Sequence, residues 1–340
     1  MEPFQLFYKT GEAEYGKMKQ DWNGKPYYSL DYYCKETFGE KLYKIALDGG
    51  FTCPNRDGTV GYGGCIFCSH GGSGEFAIPT DALSADVPSA DILSGGRIPG
   101  SGKIKTGGRF IAYFQAYTGT YDKPERLAFL YRSALSQDKI AGVSIATRPD
   151  CLGNDVLQVL AGLKKEFPHK FIWLELGLQT IHEDTAAYIR RGYGLPIFEK
   201  AAADLKEIEI PFIVHTILGL PGEERNRILD TIDYINRIEP FGIKLQLLYI
   251  LKGTDLAADY DKGLVPVYSK EEYLHTLLAC ITHLSPRIVV HRITGDGPKD
   301  LLIAPRWSLN KRDVLNSFHR LCRETGGFQG KEYKETANIK

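Results

Sequence analysis

From Leu42 onward the chain alternates short apolar, β-branched runs with longer stretches whose apolar residues recur at helical spacing. The strand candidates are Leu42–Leu47, Arg109–Gln115, Gly142–Ala146, Phe171–Gly177, Phe212–Ile217, Ile243–Tyr249 and Ile288–Ile293. Between them fall helix candidates Pro124–Ser136, Asn154–Lys165, Glu183–Arg190, Pro196–Glu207, Glu223–Arg237 and Lys270–Leu284. Pro124 and Pro196 sit where first-turn prolines belong, and Asn154 and Asp155 are in place to cap. Strand and helix in alternation imply parallel strands joined by helical crossovers. The count suits a partial (β/α) barrel of about six parallel strands, spanning residues 42–293, better than a short doubly wound sheet. An aromatic N-terminal extension (1–41), its start expected to be mobile, and a C-terminal extension (294–340) flank it. In such barrels catalytic groups gather at the C-terminal ends of the strands.

Two stretches break the rhythm. Ser94–Arg109 (SGGRIPGSGKIKTGGR) is glycine-rich and basic without an acid. It departs from a phosphate-binding loop at Arg97 and Ile104, so it reads as a flexible surface loop. Leu251–Val267 reads as a second long connection.

Composition narrows the class only a little. With 340 residues, 43% apolar content and no formal net charge, the chain is an ordinary globular protein. The longest apolar candidate for a span, Ile210–Leu220, is short and carries His215, and the N-terminus lacks a secretory pattern. Seven cysteines are an odd count in a chain too long to need disulfide staples, which points to a cytoplasmic protein whose thiols serve a metal. From Arg287 to Lys340, eleven Lys or Arg face six Asp or Glu, a surplus able to steer a phosphate-bearing partner.

The chemistry concentrates after the first strand candidate. Cys53, Cys65 and Cys68 lie in a C-x11-C-x2-C loop full of glycine, which lets the backbone turn three sulfurs inward. Two readings follow. With His70 the loop forms a closed Cys3His zinc site in a non-catalytic binding protein. With three cysteines alone it holds a 4Fe–4S cluster and leaves one iron open. Cys34, Cys280 and Cys322 read as core residues. Glu175, Gly177 and Gln179 alternate along one strand and face one side; a carboxylate facing a barrel interior is costly unless paired. His215 reads as a satisfied strand histidine. Arg148, Asp150 and Cys151 follow the third strand candidate, and Arg292, Asp296 and Lys299 follow the last. Both groups are substrate-binding candidates, with Cys151 a weak candidate for donating a hydrogen atom.

The stretches DGGFTCPNRDG, GGCIFC, AYFQAYTGTY, IATRPDCL, LELGLQT, RRGY, HTILGLPGE, QLLYILKGT and HRITGDGPK, in this order, resemble the radical S-adenosylmethionine (SAM) superfamily. The likeness runs from about Tyr28 to Leu321, within the branch of the Elongator catalytic subunit and, more narrowly, a bacterial family with a CPNRDG…GGCxFC motif. It implies one 4Fe–4S cluster on Cys53, Cys65 and Cys68, with SAM on the open iron. It implies Phe67 against the adenine, Gln115 and Thr118 as polar contacts, and Gly219 giving the adenine close backbone approach. Glu175 and Gln179 would serve the ribose or methionine end, and Arg191 the SAM carboxylate as a bidentate donor. The resemblance also implies a flavodoxin or ferredoxin-type electron donor and a tRNA substrate at C5 of a wobble uridine. No room is left after the barrel for an acetyltransferase domain. Radical chemistry on a small metabolite or a tetrapyrrole is the alternative enzymatic reading.

Overall fold

The computed structural model describes residues 22–80, 108–295 and 297–335. The basic glycine-rich stretch up to residue 107, the start of the N-terminal extension and Asp296 therefore lie outside the described residues.

The strands are β1 (Tyr43–Asp48), β2 (Ile78–Pro79), β3 (Phe110–Phe114), β4 (Ile140–Thr147), β5 (Phe171–Gln179), β6 (Phe212–Leu218), β7 (Gly242–Leu247), β8 (Ile250–Leu251), β9 (Val289–Arg292) and β10 (Leu302–Ala304). Eight of them form one parallel sheet in the order β2-β1-β3-β4-β5-β6-β7-β9. The partial barrel is thus as expected, but with eight strands rather than about six, because all seven strand candidates join the sheet and the two-residue β2 extends one edge. Among the described residues β2 and β9 do not pair, so the barrel stays open. β8 and β10 make a separate antiparallel ribbon.

The crossover helices are α2 (Pro124–Leu135), α3 (Asn154–Glu166), α4 (Glu183–Tyr188), α5 (Leu195–Glu207), α6 (Arg225–Ile238) and α8 (Lys270–His283). α8 opens on a capping box between Ser269 and Glu272. The cap of α3 differs from expectation: Gly153 holds that position, and the Asp155 carboxylate accepts from Val156 N–H instead. Strands β3 and β4 are buried almost throughout, as sheet positions covered on both faces must be. Leu160, Phe198, Leu205, Ile232 and Leu277 bring the helical faces into this core.

Three helices were not foreseen as such. α1 (Leu30–Phe38) lies in the N-terminal extension, capped by the Ser29 hydroxyl and ended by left-handed Gly39. α7 (Asp255–Asp261) lies in the expected long connection, and α9 (Lys311–Thr325) in the C-terminal extension. The segment before α1 continues the sheet, with Val290 N–H donating to Tyr28 C=O at 2.7 Å. Buried Gln329 joins both ends of the chain: its amide oxygen accepts from Tyr28 N–H at 2.8 Å while its NH2 donates to Ser285 and Ile288 carbonyls.

α1 seals the N-terminal end of the barrel. Tyr33 and Cys34 pack with Phe171, Trp173, Ile213 and Val289. Trp173 is fully buried, stacked on Phe171 at 3.9 Å between ring centroids and flanked by Phe241 at 5.0 Å. Replacing Trp173 by Ala should lower stability by about 3–5 kcal/mol, read from the urea midpoint, with Trp173→Phe costing clearly less. Equal costs would mean that the indole is not packed as described.

Candidate active site

A cavity of about 190 Å³ opens at the C-terminal ends of the parallel strands. Cys53, Cys65, Cys68 and Phe67, all from the loop after β1, form one wall. Turns shape that loop: Arg56 N–H donates to Cys53 C=O at 2.8 Å, and Cys68 N–H to Cys65 C=O at 2.9 Å. At left-handed Gly64 a Cβ would come within 2.9 Å of Arg56 Nε, so the turn needs glycine. Asn55 Nδ2 points at Cys65 Sγ, 3.6 Å away, and donates to Arg190 C=O at 2.6 Å.

Burial pushes the Cys65 thiol up to about 12 and raises Cys68 as well; in both cases neighbouring loop cysteines add to the rise. Arg148 opposes this at Cys65, and Arg56 opposes it at Cys68. Three sulfurs near enough to repel as thiolates, with amide and guanidinium donors behind them, fit an anionic iron–sulfur cluster. They fit a single zinc ion poorly. Among the described residues no three His, Cys, Asp or Glu side chains converge on one ion, and His70 is exposed. Thiols around a cluster stand further apart than thiols around one ion.

The opposite wall and the rim come from β3, β4 and β5. Gln115, Thr118, Gln179 and Arg148 line the cavity with Tyr193. Gln115 Nε2 is held by Ser73 C=O at 2.6 Å. Three non-glycine lining residues, Ser73, Tyr117 and Gln179, have left-handed backbones (φ 67°, 56° and 61°). Each conformation costs about 1–2 kcal/mol, and such strain concentrates at functional sites.

The floor is a buried polar layer. The Glu175 carboxylate is fully buried and accepts from Lys44 Nζ (2.8 Å), Ser144 Oγ (2.6 Å), His215 Nε2 (2.7 Å) and Lys244 Nζ. Lys244 also donates to the Tyr113 hydroxyl at 2.9 Å. Burial opposes the charged form of Glu175, but Lys244 and then Lys44 hold its carboxyl well below the usual carboxylate range. The expectation that Glu175 faces the interior and is paired holds, and its partners Lys44 and Lys244 are residues that sequence reasoning missed. The signal was present: each lysine sits inside an apolar strand run, YKIALD and GIKLQL.

Other candidate residues are bonded elsewhere or lie off the cavity wall. Arg191 lines the cavity, yet its guanidinium donates to the carbonyls of Tyr193, Leu178 and Thr180 and to the Glu183 carboxylate. These bonds leave no two parallel N–H groups of Arg191 free, and they tie the end of β5 to the segment after α4. Gly219 does not line the cavity; its left-handed backbone lets the Tyr268 ring approach, where a Cβ would meet it at 3.2 Å. Cys151 is buried outside the cavity wall, its thiol raised first by burial and then by Asp150. Asp150 is taken by a two-pronged bond from Arg148 (2.9 and 2.7 Å), and Lys299 is exposed and does not line the cavity. Arg292 does line it.

The family description "Radical SAM superfamily" matches residues 61–235, and "Radical_SAM C-terminal domain" matches 240–324. The protein YtqA of Bacillus subtilis (strain 168) is 42% identical over 91% of this chain and 94% of its own length. A tRNA uridine(34) acetyltransferase of Dehalococcoides mccartyi is 28% identical over 55% of this chain and 41% of its own. The archaeal Methanocaldococcus infernus Elp3 structure has the same fold, with a TM-score of 0.60 at 14% identity over 85% of this chain and 64% of that one. Among the described residues no helix is long and apolar enough to cross a membrane.

The floor makes a prediction about acid. Burial, then Lys244, lower His215 from 6.5 to about 4, against the pull of Glu175. A group lowered on folding stabilises above its unfolded value and loses that contribution as the pH falls through its folded value. The thermal midpoint should therefore fall between pH 6.5 and about 4, by an amount worth a few kcal/mol at most. His291, also held well below its usual range by burial, acts in the same direction. Replacing His215 by Gln should make the fall shallower; an unchanged slope would show that His215 is not buried neutral.

Proposed function

Because the chain belongs to the radical SAM superfamily, we propose that Cys53, Cys65 and Cys68 hold a single 4Fe–4S cluster and that the enzyme modifies the C5 side chain of a tRNA wobble uridine. The observation that carries the first half is the convergence of the three thiols and Phe67 on one cavity at the C-terminal ends of the strands. When bound, the cluster supplies the electron that cleaves SAM to a 5′-deoxyadenosyl radical, which takes a hydrogen atom from substrate.

The chain's own residues would bind, orient and shield. Phe67 offers an aromatic face to the adenine. Gln115, Thr118 and Gln179 offer polar atoms along the cavity wall for the rest of SAM, and Asn55 and Arg56 favour anionic sulfur beside them. Arg148, stacked over the Tyr193 ring at 4.9 Å, is already engaged by Asp150 and closes the rim. The aromatic plug under the floor excludes water from the barrel's lower end. A flavodoxin or ferredoxin-type protein is the donor that the chemistry calls for.

The tRNA half is supported by the likeness to the Dehalococcoides enzyme and by the basic surplus after Arg287. Anaerobic reconstitution with iron and sulfide, followed by dithionite and SAM, should yield 5′-deoxyadenosine in the wild type and none in Cys65→Ala, which should also lose the brown absorbance. A colourless wild type that leaves SAM intact overturns the cluster assignment. Bulk tRNA should bind in a low-salt filter assay and be turned over; absence of both overturns the tRNA assignment alone.

A further inference from the structure

The cavity floor holds more positive charge than its carboxylate can balance. Lys44, Lys244 and Arg292 come from β1, β7 and β9; Lys244 and Arg292 line the cavity, and both lysines bond Glu175. Against these three cations the layer presents one carboxylate, Glu175. His215 adds no charge: its Nε2–H donates to Glu175, and its Nδ1 accepts from Gln246 Nε2 at 3.5 Å. The other cavity-lining arginines are occupied. Arg148 has Asp150, Arg191 has Glu183 and three carbonyls, and Arg56 donates to the Cys68 and Ser69 carbonyls. Among the described residues Arg292 has no carboxylate partner. Burial first, and then Lys44 and Arg292, depress the Lys244 ammonium against the pull of Glu175.

Uncompensated cations in an enclosed site are expensive, and an anion delivered with a ligand relieves that cost. Resting on the reading above, in which SAM sits on the open iron of a cluster held at the cysteine wall, we propose that the floor is a subsite for a terminal carboxylate on the second reactant, bound by Arg292 and Lys244 with Gln246 and Tyr113 beside them. A planar fork such as Arg292 matches a carboxylate's two oxygens. A backbone phosphate, flanked by sugars on both sides, cannot enter a barrel interior end-on. The group that reaches the floor is therefore the tip of a substrate side chain. This makes Arg292 and Lys244 specificity-determining residues: they would select substrates whose reacting arm ends in a negative charge.

The test uses the reconstituted holoprotein under anaerobic conditions, at constant ionic strength, with acetate, acetamide and inorganic phosphate as probes. Acetate should raise the thermal midpoint saturably and acetamide should not. Arg292→Gln and Lys244→Met should each weaken the apparent acetate affinity by about tenfold, as expected for loss of one charged donor. Lys244→Met leaves Glu175 with Lys44, Ser144 and His215, and Arg292→Gln leaves that network untouched, so one folded variant suffices. Lys244 also distinguishes the floor from the crevice behind β9, which Arg292 borders and Lys244 does not. In wild type saturated with SAM, the acetate response should persist; its disappearance would mean that the floor holds SAM's own carboxylate and would overturn the proposal. An acetate effect no larger than that of acetamide, a preference for phosphate, or an unchanged response in both variants would overturn it equally. Failure of SAM cleavage with the acetate response intact would remove the radical reading and leave the anion subsite standing.

Discussion

A single buried carboxylate joins most of the barrel. Glu175 on β5 receives donors from β1 (Lys44), β4 (Ser144), β6 (His215) and β7 (Lys244), four strands besides its own. Alone in an apolar interior the charge would cost several kcal/mol. With two ammonium groups and two neutral donors it becomes a constraint on register, since a slip of one residue in any of these strands would turn a donor to the outer face and leave the carboxylate short. The parallel sheet supplies the direction and twist, and this layer fixes how the strands line up across the interior.

That layer also divides the barrel by chemistry. Below it, Trp173, Phe171, Tyr33 and Phe241 form a dry aromatic plug beneath α1. Above it, the walls are polar and open toward the cysteine loop. A reactive intermediate held on the upper side would meet no water from below, and among the described residues a large substrate would enter across the rim made by the loops. The left-handed backbones at Ser73, Tyr117 and Gln179 all fall on this side. The scaffold beneath them is regular and buried, so it can sustain local strain where side chains must be aimed inward.

The periodic parts of the fold were legible. Each of the seven strand candidates became a strand, and the six crossover helices end within two residues of expectation. What was missed lacks a strong period or is masked by charge. α7 is seven residues of mixed polarity inside a loop, and α9 (KRDVLNSFHRLCRET) carries enough charge to read as a solvated basic face, although Asn310 and Gly326 mark its ends. β8 and β10 are too short to show alternation. The cysteine loop was legible because spacing alone gathers its thiols. Which other residues face the cavity was less so: Lys44 and Lys244 lie 200 residues apart in sequence and meet only because β1 and β7 both turn a side chain toward Glu175.

The arginines show why residue type is a poor guide to a ligand contact. Four guanidinium groups line the cavity, and each would look equally able to grip an anion from the sequence. Their donors are not equally free. Arg191 is the most buried and has the fewest left, because three of its bonds go to the backbone carbonyls of Leu178, Thr180 and Tyr193, on either side of α4. Arg148 adds an aromatic stack to its carboxylate pair, and Arg56 supports the carbonyls that follow Cys68. Burial of an arginine in this site therefore marks structural use of its fork. Arg292, the partly exposed one at the end of β9, is the guanidinium whose charge the surrounding described residues do not answer.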